Sequence, residues 1–455
     1  MNAPFCHRFL HAAARPARVR AACSVRRILL ACSTGIASVL LATPASAQQP
    51  PIDGVTIDGV YRRGDKVKVM VDFVKGTNGD SITEILSRDL RYSDRYDVLP
   101  AGAAPGLTGA MNYALFAQLG AQGVVEASVL PSGTLHIELH DVNRKLMMQK
   151  QDFLLPGQPT NKDWRLAVHG ASDQIELWIS GQRGIAQSRI AYVRDNRIWI
   201  VDSDGANAGP VNSRGILPSW TPNGRSLVYN VVGDDASPVM LMDVATGALK
   251  NLTNGRSTAA QDYAACVTYD GRTMLFTRNM PTGTDLYSMP LDGGTPQRLT
   301  SGRGKASQSP TPSPDGLRMA FSSDRAGKQD IYVADIDGSN VELLTHGGAG
   351  ESNWRDNPDW SPDGRFVAYQ SGVPPAFQIM TVNVRDQTTK FVTGDGKNID
   401  PSWAPDSRHM VIASARNSLT QQLWVVDAQT GSARQLTRGS LPRMPSWSRR
   451  LTGTP

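Results

Sequence analysis

A multidomain chain is expected from these 455 residues: an N-terminal small α/β domain over residues 66–186, then an all-β six-bladed propeller over residues 187–448. Three observations support this. A turn behind an apolar anchor recurs as SWTPNGR at Ser219, CVTYDGR at Cys266, PTPSPDGLR at Pro310, DWSPDGR at Asp359 and SWAPDSR at Ser402, ending in a cut-off PSWS at Pro445. The anchors Trp220, Val267, Pro312, Trp360, Trp403 and Trp447 stand 43 to 48 residues apart, the length of a four-stranded propeller blade. The first copy, RIAYV at Arg189, lacks a turn motif in front of it, while Trp447 has no blade behind it. The strand near residues 444–448 is therefore expected to complete the blade that begins at Arg189, which closes the ring and removes exposed sheet edges.

Residues 1–47 read as an export signal: arginines ending in Arg26-Arg27, an apolar stretch over residues 28–42, and Ala45-Ser46-Ala47 as a small-residue cleavage site. The arginine pair keeps twin-arginine export open beside the general route. The apolar run is too short for a stable span, so a soluble exported product is expected. The formal charge of +6 comes from this leader, whose six arginines face no acid; 41 bases and 41 acids remain, which removes the electrostatic case for nucleic acid. Three of the four cysteines leave with the leader. The remaining Cys266 is expected as a small buried hydrophobe on an inner strand, with no intramolecular disulfide.

Residues 48–65 are short of large core residues; Ile52, Val55, Ile57 and Val60 are spaced so that the segment either frays or adds as a strand to a partner's sheet. In the front domain, strands are expected over 67–73, 96–99, 123–130, 134–141 and 146–154. Helices are expected over 81–93, with Ser81 and Glu84 as a capping box, over 109–119, and over 162–180, with Trp164, Val168, Ala171, Ile175 and Trp178 as its apolar stripe.

Each repeat then follows one grammar. An inner strand runs into the anchor, a Ser-Pro-Asp-Gly turn sets Pro at its second position and Gly at its fourth, and a second strand returns. Third strands recur as RIWIVD, VMLMDV, DLYSMPL, DIYVADI and QLWVVDA, three of them running into Asp204-Gly205, Asp292-Gly293 or Asp337-Gly338. Asp-Gly between alternating strands marks a hairpin because such turns need positive φ. Residues 449–455 are left as a C-terminal tail.

The search for chemistry finds no catalytic residue. No serine sits in G-x-S-x-G, the turns lack the downstream Trp of sialidase-type Asp boxes, and the Asp-Gly loops lack the distal ligands of a calcium loop. His136-Ile-Glu138-Leu-His140 puts two imidazoles and a carboxylate on one face of a strand; a metal there and plain solvent-facing alternation both fit, and no metal ligand is assigned. Polar groups recur on the loops expected before the inner strands: Gln261 and Asp262, Ser307 and Gln308, Arg355 to Asn357, Asn398 and Asp400. On a closed ring these converge on one mouth of the central channel, a default binding site. No cofactor is required, and a calcium ion in the channel stays open.

Four stretches, VKVMVDF at Val67, FAQLGAQGVVEASV at Phe116, GQRGIAQSRIAYV at Gly181 and the SPDG repeats, resemble the TolB family of periplasmic propeller proteins of the Tol-Pal system. The resemblance implies a non-enzymatic, monomeric periplasmic adaptor. It would bind the lipoprotein Pal through the propeller mouth (Gln261, Asp262, Ala264, Ser307, Gln308, Ser309, Arg355, Asp356, Asn357, Asn398 and Asp400). It would bind TolA through the segment of Ile52, Val55, Ile57 and Val60, supporting outer-membrane invagination and envelope integrity at cell division. The chain departs from the family at Asp72, Ala265 and Tyr269, where proline is usual. The alternative is an exported propeller enzyme that uses channel carboxylates on envelope glycans or peptides.

Overall fold

Among the described residues five strands and three helices build the front domain. The computed structural model describes residues 66–101, 111–232, 237–253, 260–301, 305–346, 353–416, 420–439 and 441–451; the leader and the segment of Ile52, Val55, Ile57 and Val60 lie outside the described residues. Strands β1 (Val67–Val71), β2 (Tyr96–Leu99), β3 (Gly123–Val129), β4 (Thr134–Asp141) and β5 (Leu146–Leu154) are ordered β2-β1-β3-β4-β5. β1 runs parallel to β2 and β3, and β3 to β5 form an antiparallel meander. Helices α1 (Gly79–Tyr92) and α3 (Lys162–Ser180) cover one face, where Ile82, Leu86, Val168 and Ile175 pack on Val69, Val71, Val125 and Ile137. The short α2 (Tyr113–Gln118) covers part of the other face, with Phe116 against Met70 and Val124.

Two helix starts differ from expectation. The capping box of Ser81 does not form, because α1 begins two residues earlier behind Asn78 in the left-handed conformation. Gly79 allows this: a Cβ there would stand 1.9 Å from the Val74 carbonyl oxygen. Helix α2 starts at Tyr113, where the Asn112 side chain accepts a hydrogen bond from the Leu115 amide at 3.1 Å, a cap the apolar stripe does not reveal. Helix α3 keeps its expected bounds, with Asn161 capping its start and Gly181 at φ 71° ending it.

Among the described residues the other strands form six four-stranded antiparallel sheets. The ring closes as expected: Arg443–Trp447 pairs with Arg189–Arg194, and the Trp447 indole donates to Ser188 Oγ at 2.7 Å. The anchors are buried between blades. Trp220 packs with Ile198 and Leu227, Trp360 with Ile331 and Val367, Trp403 with Ile379 and Met410, and Trp447 with Ile190 and Val411. Each core cluster thus straddles two adjacent sheets, and each blade is stable only against its neighbours.

The repeated turn has a local cause. In the Ser361 copy the hydroxyl donates to Asp363 Oδ1 at 2.6 Å, and that oxygen also accepts the Arg365 amide at 3.0 Å. Thr221, Thr268 and Ser313 repeat the first bond to Asn223, Asp270 and Asp315. Ser and Asp are therefore turn chemistry, as expected.

The front domain docks on the end of the ring that carries these turns. Asp204 caps its own hairpin through the Ala206 amide, and it also binds Arg165 of α3 at 2.7 Å and Arg88 of α1. Arg95 bridges Glu176 and Asp406, each at 3.2 Å, and His409 meets Asp406 at 2.8 Å. Burial raises the Glu176 carboxyl to about 8 against the pull of Arg95. Burial alone would lower His409, but the Asp406 carboxylate outweighs it and raises the imidazole to about 9.

Candidate binding site at the propeller mouth

A break at one register lets each inner strand line the channel. Pairing with the second strand slips at this point in all six blades, and one residue there has positive φ: Leu217, Ala264, Ser309, Asn357, Asp400 and Met444, all between 49° and 54°. Proline follows in five blades, as Pro218, Pro310, Pro358, Pro401 and Pro445, where its missing N–H leaves no ladder donor unpaired; Ala265 takes the place in the third blade. A regular pleat turns alternate residues away. The bulge instead brings three consecutive residues of each blade, such as Asn357, Pro358 and Asp359, to one axial cavity of about 170 Å³.

The expected polar residues lie on the inner strands themselves, not on loops before them, because strands such as Gln261–Val267 and Ser307–Pro312 start earlier than the turn spacing suggests. They divide into two sets. Asp262 is buried against Arg278, Arg355 against Asp330, Ser307 against Ser323, and Asn398 bonds Gln378 and Ser414. Arg355 and Asn398 thus bond to the preceding blade, Asp262 and Ser307 within their own, and none of the four lines the cavity. Ala264, Ser309, Asn357 and Asp400 do line it. Gln261 is exposed at the rim.

The inner set is wired from blade to blade. Tyr263 donates to Gln308 at 3.3 Å and Gln308 to Asp356 at 3.3 Å, while Ser309 donates to Asn357 and Asn357 to Asp400 at 2.9 Å. Asp400 then accepts the Met444 amide at 3.2 Å, and Asp359 accepts the Trp403 amide at 2.7 Å. Withdrawal from bulk water raises all three carboxyls, Asp356, Asp400 and Asp359, the last to about 6. Cys266 sits on the inner strand as expected and is partly exposed to the channel; burial pushes its thiol up, and it donates to the Pro310 carbonyl at 3.0 Å. A protonated, engaged thiol is a poor nucleophile.

Sequence reasoning missed Leu217, Met444, Tyr263 and Trp354. Aligning all six repeats, not four, would have placed the first two. Trp354 opens an inner strand at the mouth and remains 53% exposed, with Val373 on the strand paired to it also exposed. The opposite end of the channel is stoppered by Arg449, whose guanidinium stacks on the Tyr269 ring beside Pro222, Pro362 and Pro405. Among the described residues the mouth end meets neither the front domain nor Arg449.

Comparison with known proteins agrees with this architecture. The TolB amino-terminal domain family matches residues 56–148, and the TolB beta propeller domain family matches residues 178–451. The Tol-Pal system protein TolB of a Polaromonas species is 32% identical over 188 residues, covering 38% of this chain and 43% of that protein, and the protein of the same name from Polaromonas naphthalenivorans is 31% identical over the same length. The matched stretch thus spans less than half the length of these curated relatives. The crystal structure of TolB from Acinetobacter baumannii superposes with a TM-score of 0.73 at 23% identity, covering 85% of this chain and 97% of that one, which shows a shared fold. With the propeller family matched over more than half of its residues, the chain belongs to the TolB family.

Proposed function

We propose that this protein is a non-enzymatic periplasmic adaptor of the Tol-Pal system. Its propeller mouth binds the lipoprotein Pal and its segment of residues 48–65 binds TolA, linking the two for outer-membrane constriction and envelope integrity during division. The observation that supports this most is the asymmetry of the ring. One end is stoppered by Arg449 and docks the front domain at Asp204 and Asp406, while the other presents an exposed aromatic, Trp354, beside recessed amide and carboxyl groups. An aromatic anchor next to a hydrogen-bonding concavity is the usual anatomy of a protein interface hot spot. Cys266, engaged and held protonated, offers no activated nucleophile for the enzymatic alternative. Among the described residues no helix is long and apolar enough to cross a membrane.

The test is calorimetric binding of purified Pal and of the TolA carboxyl-terminal domain to the mature chain. Trp354→Ala should weaken Pal by more than about 2 kcal/mol while leaving the melting temperature and TolA binding unchanged. Deleting residues 48–59 should do the reverse. Turnover of peptidoglycan fragments without Pal binding would overturn the adaptor reading.

A further inference from the structure

We propose that Glu126, Glu138 and His140, on the front-sheet face opposite α1 and α3, form a binding site for a divalent transition metal, best suited to Zn²⁺. The site is independent of the propeller mouth and does not rest on the adaptor reading. One ring nitrogen of His140 and one carboxylate oxygen from each glutamate lie within 4.8 Å of one another. The His140 Nε2 to Glu138 Oε2 separation is 3.2 Å, close to the roughly 3.3 Å edge of a tetrahedron drawn with zinc–ligand bonds of about 2.0 Å. Glu126 and Glu138 are direct cross-strand partners on β3 and β4, so their carboxylates emerge side by side. A bulge between Leu139 and His140 shifts β4 against β5 beside the third ligand.

The surroundings are what distinguish this group from an incidental polar face. His140 is only 5% exposed, and its Nδ1 is held by Tyr113 Oη of α2 at 3.0 Å, which leaves Nε2 aimed at the glutamates. The other Glu138 oxygen is held by His136 Nε2 at 3.2 Å, and His136 Nδ1 is in turn held by Asp152 at 2.5 Å. Ligands oriented by such outer partners are the signature of a metal centre, where the outer groups fix ring tautomers and carboxylate rotation. One nitrogen and two oxygens suit a borderline cation, with water filling the remaining position. Lys75, which pairs with Glu126 at 2.8 Å and is half exposed, can swing aside for the ion.

Among the described residues two other His-and-acid groups do not compete. Asp89–His169–Asp204 and Asp94–His409–Asp427 lie at the seam between the domains and are already neutralised by Arg88, Arg165 and Arg408. Glu138 and Glu126, by contrast, are 29% and 28% exposed, which gives an ion a way in. Because Tyr113 and His140 belong to different elements, the bound ion would also pin α2 to the sheet.

The experiment is a Zn²⁺ titration by calorimetry of untagged, chelator-stripped mature protein, with Mn²⁺ and Ca²⁺ as comparisons. One saturable site is expected, and Zn²⁺ should raise the melting temperature and slow hydrogen exchange in α2. Glu138→Gln and His140→Gln should each weaken binding by about 100-fold or more, and Tyr113→Phe or Asp152→Asn by about 10- to 100-fold. If His140→Gln fails to fold, Glu126→Gln and Tyr113→Phe carry the test. Absence of saturable binding, or binding undiminished in Glu138→Gln and Glu126→Gln, would overturn the proposal.

Discussion

Trp447→Ala asks whether the last strand is as much a part of the ring as the internal ones. Its indole is 5% exposed and packs on Ile190, Tyr192 and Val201 of the first blade and on Val411 and Leu423 of the last. Removing a buried Trp side chain costs about 3 to 5 kcal/mol, the transfer and cavity terms together. The Ser188 hydroxyl also loses the indole donor at 2.7 Å, and the net value of such a bond, about 1 kcal/mol, places the expected loss near the upper end of that range. Trp360→Ala, in the middle of the ring at 3% exposure, is the control and should cost about the same. Guanidinium unfolding followed by near-ultraviolet circular dichroism measures both midpoints, and unchanged slopes would license the comparison. Should Trp447→Ala cost below about 1 kcal/mol while Trp360→Ala costs the full amount, the terminal strand would be a loosely held flap, and the argument that it seals the propeller would fail.

Other consequences follow from the seam and the turns. Glu176 and His409 both have folded-state values above their unfolded ones, about 8 and about 9, so the stability they confer is present at low pH. The Glu176 part is lost as pH rises from its ordinary range through 8, and the His409 part between 6.5 and 9; the melting temperature should therefore fall over pH 6.5 to 9. Glu176→Gln, permanently neutral, should flatten the fall, and a level profile in the parent protein would count against the seam as described. Gly338→Ala should destabilise more than Gly271→Ala, since a Cβ at Gly338 would meet the Leu299 carbonyl oxygen at 2.0 Å whereas nothing lies within 4 Å of Gly271. Both glycines have positive φ, so Gly271→Ala alone should cost about 1 kcal/mol; equal melting temperatures for the two variants would contradict the packing. Cys266 should react with a thiol reagent only slowly until the chain unfolds, and rapid stoichiometric labelling of native protein would show that its bond to the Pro310 carbonyl does not hold it.

Most of the ring was legible because its determinants are local. A turn whose Ser hydroxyl, Asp carboxylate and Gly φ are all set within five residues announces itself wherever it recurs, and an anchor such as Trp360 stands immediately before it. The seam was not legible, because Arg95 lies 81 residues from Glu176 and 311 from Asp406, and nothing near any of the three in sequence points to the others. Asp204 shows both cases at once: its role in the hairpin is written in the next residue, Gly205, while its pairing with Arg165 depends on how two domains meet.

The channel lining was hidden for a different reason, and that reason bears on what the mouth is for. Period-two reasoning assigns successive strand residues to opposite faces, so it cannot place Asp400, Pro401 and Ser402 on one cavity. The left-handed residue at the break makes this geometry, at a cost of about 1 to 2 kcal/mol for each non-glycine residue, and the ring repeats it six times, even at Leu217 and Met444, whose side chains are poorly suited to it. Interblade bonds such as Asn357 to Asp400 and Asp400 to Met444 offset part of that cost. Strain held at every blade and compensated in part across blade boundaries couples the six inner strands mechanically. Contact at one part of the rim, at Trp354 for example, is then felt first by the neighbouring carboxyls Asp356 and Asp400. If so, Asp400→Asn, which retains the shape but weakens acceptance from the Asn357 and Met444 groups, should alter partner affinity at Trp354 although the two side chains belong to different blades. A double-mutant cycle with Trp354→Ala measures that coupling, and strict additivity would show that the blades answer a ligand one at a time.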